Sequence, residues 1–218
     1  MNAIKKRMLF NLAKHIDSCG IADALDATHL KGVALGLHHL GPGGRICGRV
    51  VPMRVSAGSS SQVHLGVSAI LQAEPGEIIV VAAGGRTDVA AWGGLLSLAA
   101  LQHGVKGVIV DGAVRDVEES DRLGLPIFAR GAIPLSARGR LAEQNCGEPV
   151  MIAGVPVQTG DWVIADASGV VFVPEAQLDR VLDAAASIVA RERELAGQIK
   201  AGMPLQEVFG HGYEQMLR

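Results

Sequence analysis

The sequence predicts a mixed α/β fold built on a parallel sheet. Two observations carry this reading: near-continuous apolar runs at 77–83 (EIIVVAA) and 106–110 (KGVIV) flank a stretch of helical composition, and a further apolar run follows at 125–129 (LPIFA). Strands that are apolar on both faces and joined through a helix belong to βαβ units with a covered sheet. A third observation closes the chain: Leu178, Val181, Leu182, Ala185, Ile188, Val189 and Leu195 form the stripe of a long amphipathic helix.

Taken in order, Ile4, Met8, Leu9, Leu12 and Ile16 repeat at helical spacing and predict an N-terminal helix. Ser18 is read as the cap of a second, short helix through 21–25. Gly41-Pro42-Gly43-Gly44 marks a loop, and a strand is expected over 45–55. After the strand at 77–83, Gly84-Gly85-Arg86 reads as a turn and 88–103 as a helix ended by Gly104. Beyond 150 the pattern changes to short strands at 150–157, 162–165 and 170–174. Gly154, Gly160-Asp161 and Ser168-Gly169 separate them, as in an antiparallel meander. Gly202 and Pro204 stop the last helix. The expectation is a single mixed domain over 1–218, with N-terminal helices and a long C-terminal helix.

Composition narrows the function classes. A net charge of -2 without a Lys/Arg run argues against a nucleic-acid surface. The most apolar stretch, 89–101, is rich in Gly, Ala and Ser and too short to span a bilayer, and residues 1–10 lack the apolar core of a signal peptide. Cys19, Cys47 and Cys146 are odd in number and widely spaced, which predicts reduced, buried thiols and neither a zinc motif nor a disulfide framework. A cytoplasmic protein is expected.

The sharpest chemical feature is Arg115-Asp116, directly after the strand at 106–110. Open α/β folds bind ligands at strand carboxyl ends. Arg115 offers a planar donor fork for a carboxylate, and Asp116 offers oxygens for a hard cation such as Mg²⁺. The bland alternative is a surface ion pair in a turn. A second feature is Trp92-Gly93-Gly94-Leu95-Leu96, near a helix start, where backbone N–H groups can face an anion; close helix packing is the alternative. His38, His39, His64 and His103 lack ligand spacing and read as surface or packing residues. Ser59-Ser60-Ser61 reads as a polar loop, Asp161 and Asp166 as Asx turns, Trp92 and Trp162 as core or interface, and Arg86 as a possible aid to a substrate carboxylate.

The ordered set 90–96 (AAWGGLL), Ala99, Gly104, Gly107 and 110–116 (VDGAVRD), with 126–131 (PIFARG), 154–157 (GVPV), Gly160-Asp161, 166–171 (DASGVV) and 21–25 (IADAL), resembles the signature of RraA-like proteins over nearly the whole chain. This family includes 4-hydroxy-4-methyl-2-oxoglutarate aldolases, oxaloacetate decarboxylases and regulators of a ribonuclease. The resemblance implies a swivelling β/β/α fold assembled as a homotrimer or dimer of trimers. It implies a lyase using Mg²⁺ or Mn²⁺ on a small 2-oxo acid bound between subunits, through a metal-stabilised pyruvate enolate. Arg115 would contact the substrate's carboxylate and keto oxygen, Asp116 would hold the metal directly or through water, and the amides of Leu95 and Leu96 would bind the pyruvyl carboxylate. Glu192, or Glu194 close behind it, would enter from a neighbour's C-terminal helix.

One position departs from that pattern. Active members usually carry an acid, twenty intervening residues and then Arg-Asp; counting back from Arg115 lands on Gly94. Asp88, six residues upstream, is no obvious substitute. Losing a carboxylate that holds metal-bound water is expected to weaken the site by about ten- to a hundredfold. The alternative function is therefore a non-enzymatic regulator that binds a ribonuclease or another protein. A methyltransferase reading lacks support, since Gly84-Gly85 does not extend to G-x-G-x-x-G.

Overall fold

The computed structural model describes residues 16–41, 44–58 and 64–210. The elements, in chain order, begin with α1 (Ser18–Ala27), β1 (Val33–Ala34), β2 (His38–His39), β3 (Ile46–Ala57) and α2 (Val67–Gln72). The middle of the chain forms β4 (Ile78–Ala90), α3 (Gly94–Gln102), β5 (Gly107–Val114), α4 (Val117–Arg122) and β6 (Ile127–Ala132). Then come β7 (Leu141–Cys146), β8 (Val150–Ile152), β9 (Val155–Val157), β10 (Trp162–Asp166), β11 (Gly169–Val173), α5 (Leu178–Lys200) and α6 (Leu205–Val208). The N-terminal helix expected through Ile4 to Leu12 and the loop at Ser59–Ser61 lie outside the described residues.

Among the described residues nine strands form one mixed sheet in the order β1-β11-β10-β3-β4-β5-β6-β2, with β7 paired to the second half of β3. The run β3-β4-β5-β6 is parallel, and α2, α3 and α4 provide its crossovers. Side chains alternate across this sheet as strand geometry requires. Ile79, Val81, Val108 and Val110 enter one core with Trp92 and Leu96, whereas Ile78, Val80 and Ile109 enter the opposite core with Phe128 and Phe172. Every residue of β5 is buried, as expected for a central strand covered on both faces.

A third core lies under α5. Leu178, Val181, Leu182, Ala185 and Ile188 pack on Ile21, Leu25, Trp162 and Val173. Gly202, at positive φ, ends α5: Gly202 N–H donates to Ile199 O and Met203 N–H to Gln198 O. This is a Schellman cap, and Gly104 closes α3 the same way, with Gly104 N–H on Leu101 O and Val105 N–H on Ala100 O.

Several expectations need correction. The helix expected over 88–103 begins only at Gly94, because β4 continues through Gly84-Gly85-Arg86 to Ala90 by register shifts against β5. Asp17 caps α1, its carboxylate accepting from Gly20 N–H (2.9 Å), while Ser18 is the first helical residue. The expected meander is two hairpins, β8–β9 apart from the main sheet and β10–β11 within it. Cys19 is exposed, whereas burial pushes the thiols of Cys47 and Cys146 up to about 11.

Asp161 makes no Asx turn. Its carboxylate accepts from Gln158 N–H and from Glu175 N–H, tying the β9–β10 turn to the entry of α5. Asp166 does make one, with Ser168 N–H (3.0 Å), and also accepts from Ser18 N–H (2.8 Å) and Ser18 Oγ (2.6 Å). Burial alone would raise the Asp166 pKa, but these hydrogen bonds and the nearby Arg45 outweigh it and hold the carboxyl below its ordinary value. A depressed folded pKa gives stability that is present above the unfolded value and lost as pH falls through the folded one. Asp166→Asn should therefore cost about 1 kcal/mol at neutral pH. Thermal melts of both proteins against pH check this: their gap should close below about pH 4.

Candidate functional site

The site forms where the entry to α3 crosses the end of β5. Ala90 N–H donates to Leu135 O (2.9 Å), Ala91 N–H to Ala113 O (2.8 Å), and Arg115 N–H to Trp92 O (2.9 Å). These bonds hold 91–92 against β5 and bring α3 to the carboxyl end of the parallel strands. The buried Trp92 ring fixes the corner, with Nε1 donating to Ser97 Oγ (3.1 Å). Ser97 Oγ also meets Ser120 Oγ at 2.7 Å, so α3 and α4 are joined beneath the site.

Gly93 is the cap residue of α3, with extended backbone. Close approach makes it glycine: a Cβ there would lie 2.9 Å from Arg115 Cγ and 3.0 Å from Asp116 Oδ2. Lacking a capping side chain of its own, α3 takes one from α4's cap residue, as Gly94 N–H donates to Asp116 Oδ2 (3.1 Å). The first bond within α3 is Ser97 N–H to Gly93 O (3.0 Å). The amides of Leu95 and Leu96 thus stay at the helix's positive end without an intrahelical acceptor.

Asp116 has left-handed backbone, φ 56°, which is uncommon for a residue with a side chain and costs about 1 kcal/mol or more. It is held there by Gly94 N–H and by Arg115 Nε, at 3.2 and 3.1 Å from its two oxygens. Arg115, Asp116, Gly93, Gly94, Leu95 and Leu96 line one cleft of about 310 Å³.

The cleft also includes residues that the sequence did not single out for it. His64 stands on its wall, with Nδ1 2.9 Å from Leu65 O, and Ser136, Ala137 and Arg138 close another side. The loop 136–138 reaches the site through the Ala90–Leu135 bond, a long-range pairing with no local signal. Of the other histidines, His38 and His103 are exposed and His39 packs edge-on against Phe128. Arg86 does not line the cleft; it is half-buried and forked onto the exposed Asp88 at 2.9 and 2.8 Å, and this hydrogen bonding holds the Asp88 carboxyl below its ordinary value. Glu192 and Glu194 are exposed on α5 and do not line the cleft of their own chain.

Among the described residues no three His, Cys, Asp or Glu side chains cluster as metal ligands. What the cleft edge offers is oxygen: Asp116 and, one helical turn on, Glu119, which faces Gly94. One or two carboxylates suit a hard ion that keeps most of its water, such as Mg²⁺, and do not suit zinc. The donor chemistry therefore fits the implied cation.

A family model described as RraA-like, Aldolase/RraA, matches residues 18–172. The chain belongs to the RraA-like family. A Halalkalibacterium halodurans protein provisionally named a 4-hydroxy-4-methyl-2-oxoglutarate aldolase is 32% identical over 83% of this chain and 85% of its own length. Protein DlpA of Legionella pneumophila is 30% identical over 98% of this chain, which spans only 36% of DlpA. Among solved structures, an uncharacterized Pseudomonas syringae protein superposes with a TM-score of 0.85 at 28% identity, covering 94% of this chain and 98% of its own. Streptomyces coelicolor RraAS2, described as an unusual member of the RNase ES inhibitor RraA family, gives 0.76 at 23% identity, covering 89% and 96%, and so shares the fold. No helix among the described residues is long and apolar enough to cross a membrane.

Proposed function

We propose that this chain is a divalent-metal-dependent carbon–carbon lyase acting on short 2-oxo dicarboxylic acids of the oxaloacetate and 4-hydroxy-4-methyl-2-oxoglutarate type. The observation that carries the reading is the meeting of Arg115, Asp116 and the N-terminal amides of α3 in one cleft. Breaking the C3–C4 bond of such an acid releases CO2 from oxaloacetate, or a second pyruvate from 4-hydroxy-4-methyl-2-oxoglutarate as its C4 hydroxyl gives up a proton to water; the electron pair left on C3 is accepted by the 2-oxo group, and the resulting enolate of pyruvate takes a proton at C3. The amides of Leu95 and Leu96 are suited to hold the pyruvyl carboxylate at the helix's positive end. Arg115 is suited to donate to the carboxylate and to the oxo oxygen as charge develops there. Asp116 would hold Mg²⁺ or Mn²⁺, which supplies Lewis-acid stabilisation of that oxygen. Leu95 and Leu98, exposed on the outer face of α3, support an assembly in which a neighbouring subunit covers the cleft, as a homotrimer or dimer of trimers, with Glu192 of that neighbour entering it.

The purified chain should release pyruvate from oxaloacetate faster with Mg²⁺ or Mn²⁺ than the metal alone does, as a coupled dehydrogenase assay would record. A rate equal to the metal-only background with every divalent ion would end the proposal. Gly94 favours one second reading, a non-enzymatic regulator of a ribonuclease or other protein. A partner recovered from host lysate by a chain that lacks all lyase activity would support it.

A further inference from the structure

Position 94 carries no carboxylate, yet its place in the site is filled. A Cβ on residue 94 would lie 2.5 Å from the carboxyl carbon of Glu119, still closer to its Oε2, and 3.2 Å from Asp116 Cβ. The Glu119 carboxylate therefore occupies the space that a side chain at 94 would enter, beside Asp116. Three features of the chain put it there. The left-handed backbone of Asp116 starts α4 immediately after β5, and Glu119 N–H donates to Asp116 O (3.1 Å) in the first turn. Residues three apart on a helix share a face. The Ser97–Ser120 hydrogen bond then clamps α4 against α3. Glu119 is half-buried, and its carboxylate has no hydrogen-bond or ion-pair partner among the described residues, so the helix carries the group to this place without any polar contact to use it.

We infer that Glu119 stands in for the acid missing at 94, as the carboxylate that, together with Asp116, holds the divalent cation and its water. The inference rests on the lyase reading proposed above and assigns a residue to it. Glycine at 94 is then a requirement of the arrangement, because a larger residue would push the Glu119 carboxylate aside. That carboxylate is the far end of a flexible side chain, so the displacement would disturb the site far more than the fold.

Mn²⁺ binding to the full chain, followed by electron paramagnetic resonance, separates the possibilities without recourse to activity. Glu119→Gln and Gly94→Ala should each weaken Mn²⁺ binding by about ten- to a hundredfold, the range expected for a carboxylate supporting a metal site. Metal-free melting temperatures should stay within about 4 °C of the parent: Glu119 is only half-buried, and what a methyl group on the buried Gly94 meets first is the movable end of the Glu119 side chain. The double variant Gly94→Asp with Glu119→Ala moves the carboxylate across the gap and should recover most of the affinity, which a merely structural role for Glu119 would not give. If Glu119→Gln binds Mn²⁺ as tightly as the parent while Asp116→Asn does not, the inference is overturned and the lyase reading stands. If the parent neither binds Mn²⁺ nor releases pyruvate, both fall.

Discussion

Arg115→Lys should lower kcat/KM for oxaloacetate cleavage by about 10²–10³-fold, the usual cost of losing one well-placed donor to a developing oxyanion. Arg115 is anchored at both ends of its role. Its N–H is fixed on Trp92 O, and its Nε is engaged by Asp116 at 3.1 and 3.2 Å. The rest of the guanidinium, on a side chain 38% exposed, borders the cleft. Lysine brings the charge without the planar fork, so it cannot hold Asp116 and a substrate oxygen together. Exposed ion pairs contribute about 0–1 kcal/mol, so the melting temperature should barely move. Steady-state kinetics and a thermal melt on the same preparation test both halves. Full activity in the lysine variant would show that charge alone suffices.

Asp111→Ala should cost about 3 kcal/mol or more in urea unfolding, a large share of the 5–15 kcal/mol that holds a typical domain. Asp111 sits mid-way along the wholly buried β5 and is itself 4% exposed. One carboxylate oxygen takes Arg130 Nε at 2.6 Å, and the other takes Ala153 N–H at 2.9 Å. Through these two bonds a single side chain ties β5 to β6 and to the β8–β9 turn, where Ala153 has left-handed backbone. Alanine would leave a guanidinium and a backbone N–H without acceptors in a largely buried place. Arg130 is 28% exposed and can recover some hydration, which puts the expected cost at the lower end of the range for broken buried pairs. Asp111→Asn should lose less, because it can still accept from Ala153. A loss below about 1 kcal/mol for alanine would mean that the network is solvated and dispensable.

The parts of the fold that could be read from sequence are those with a strong period or a strong stop. The buried strands at 78–83 and 107–110, the stripe of α5, and the glycine caps at 104 and 202 all behave as their composition predicts. The start of α3 did not, for a physical reason. Residues 88–93 have helix-compatible composition, but Ala90 and Ala91 bond to Leu135 and Ala113, and those long-range pairings extend β4 past the glycine pair. β7 was invisible because LAEQNC has no alternation, and α4 because six residues are too few for a period. At the site, the Arg-Asp pair and the glycines were legible from their place after a buried strand. Glu119 was not: its approach to Gly94 depends on the left-handed Asp116 and on the packing of α4 against α3, and neither leaves a mark in local sequence.

The most direct measurement is a crystal structure of the chain with Mg²⁺ and oxalate, which mimics the pyruvate enolate in shape and charge. Oxalate should lie in the cleft with one carboxylate on the amides of Leu95 and Leu96, the guanidinium of Arg115 on its oxygens, and the cation on the Asp116 side. Oxalate bound away from Arg115, or absent from the cleft at saturating concentration, would contradict it.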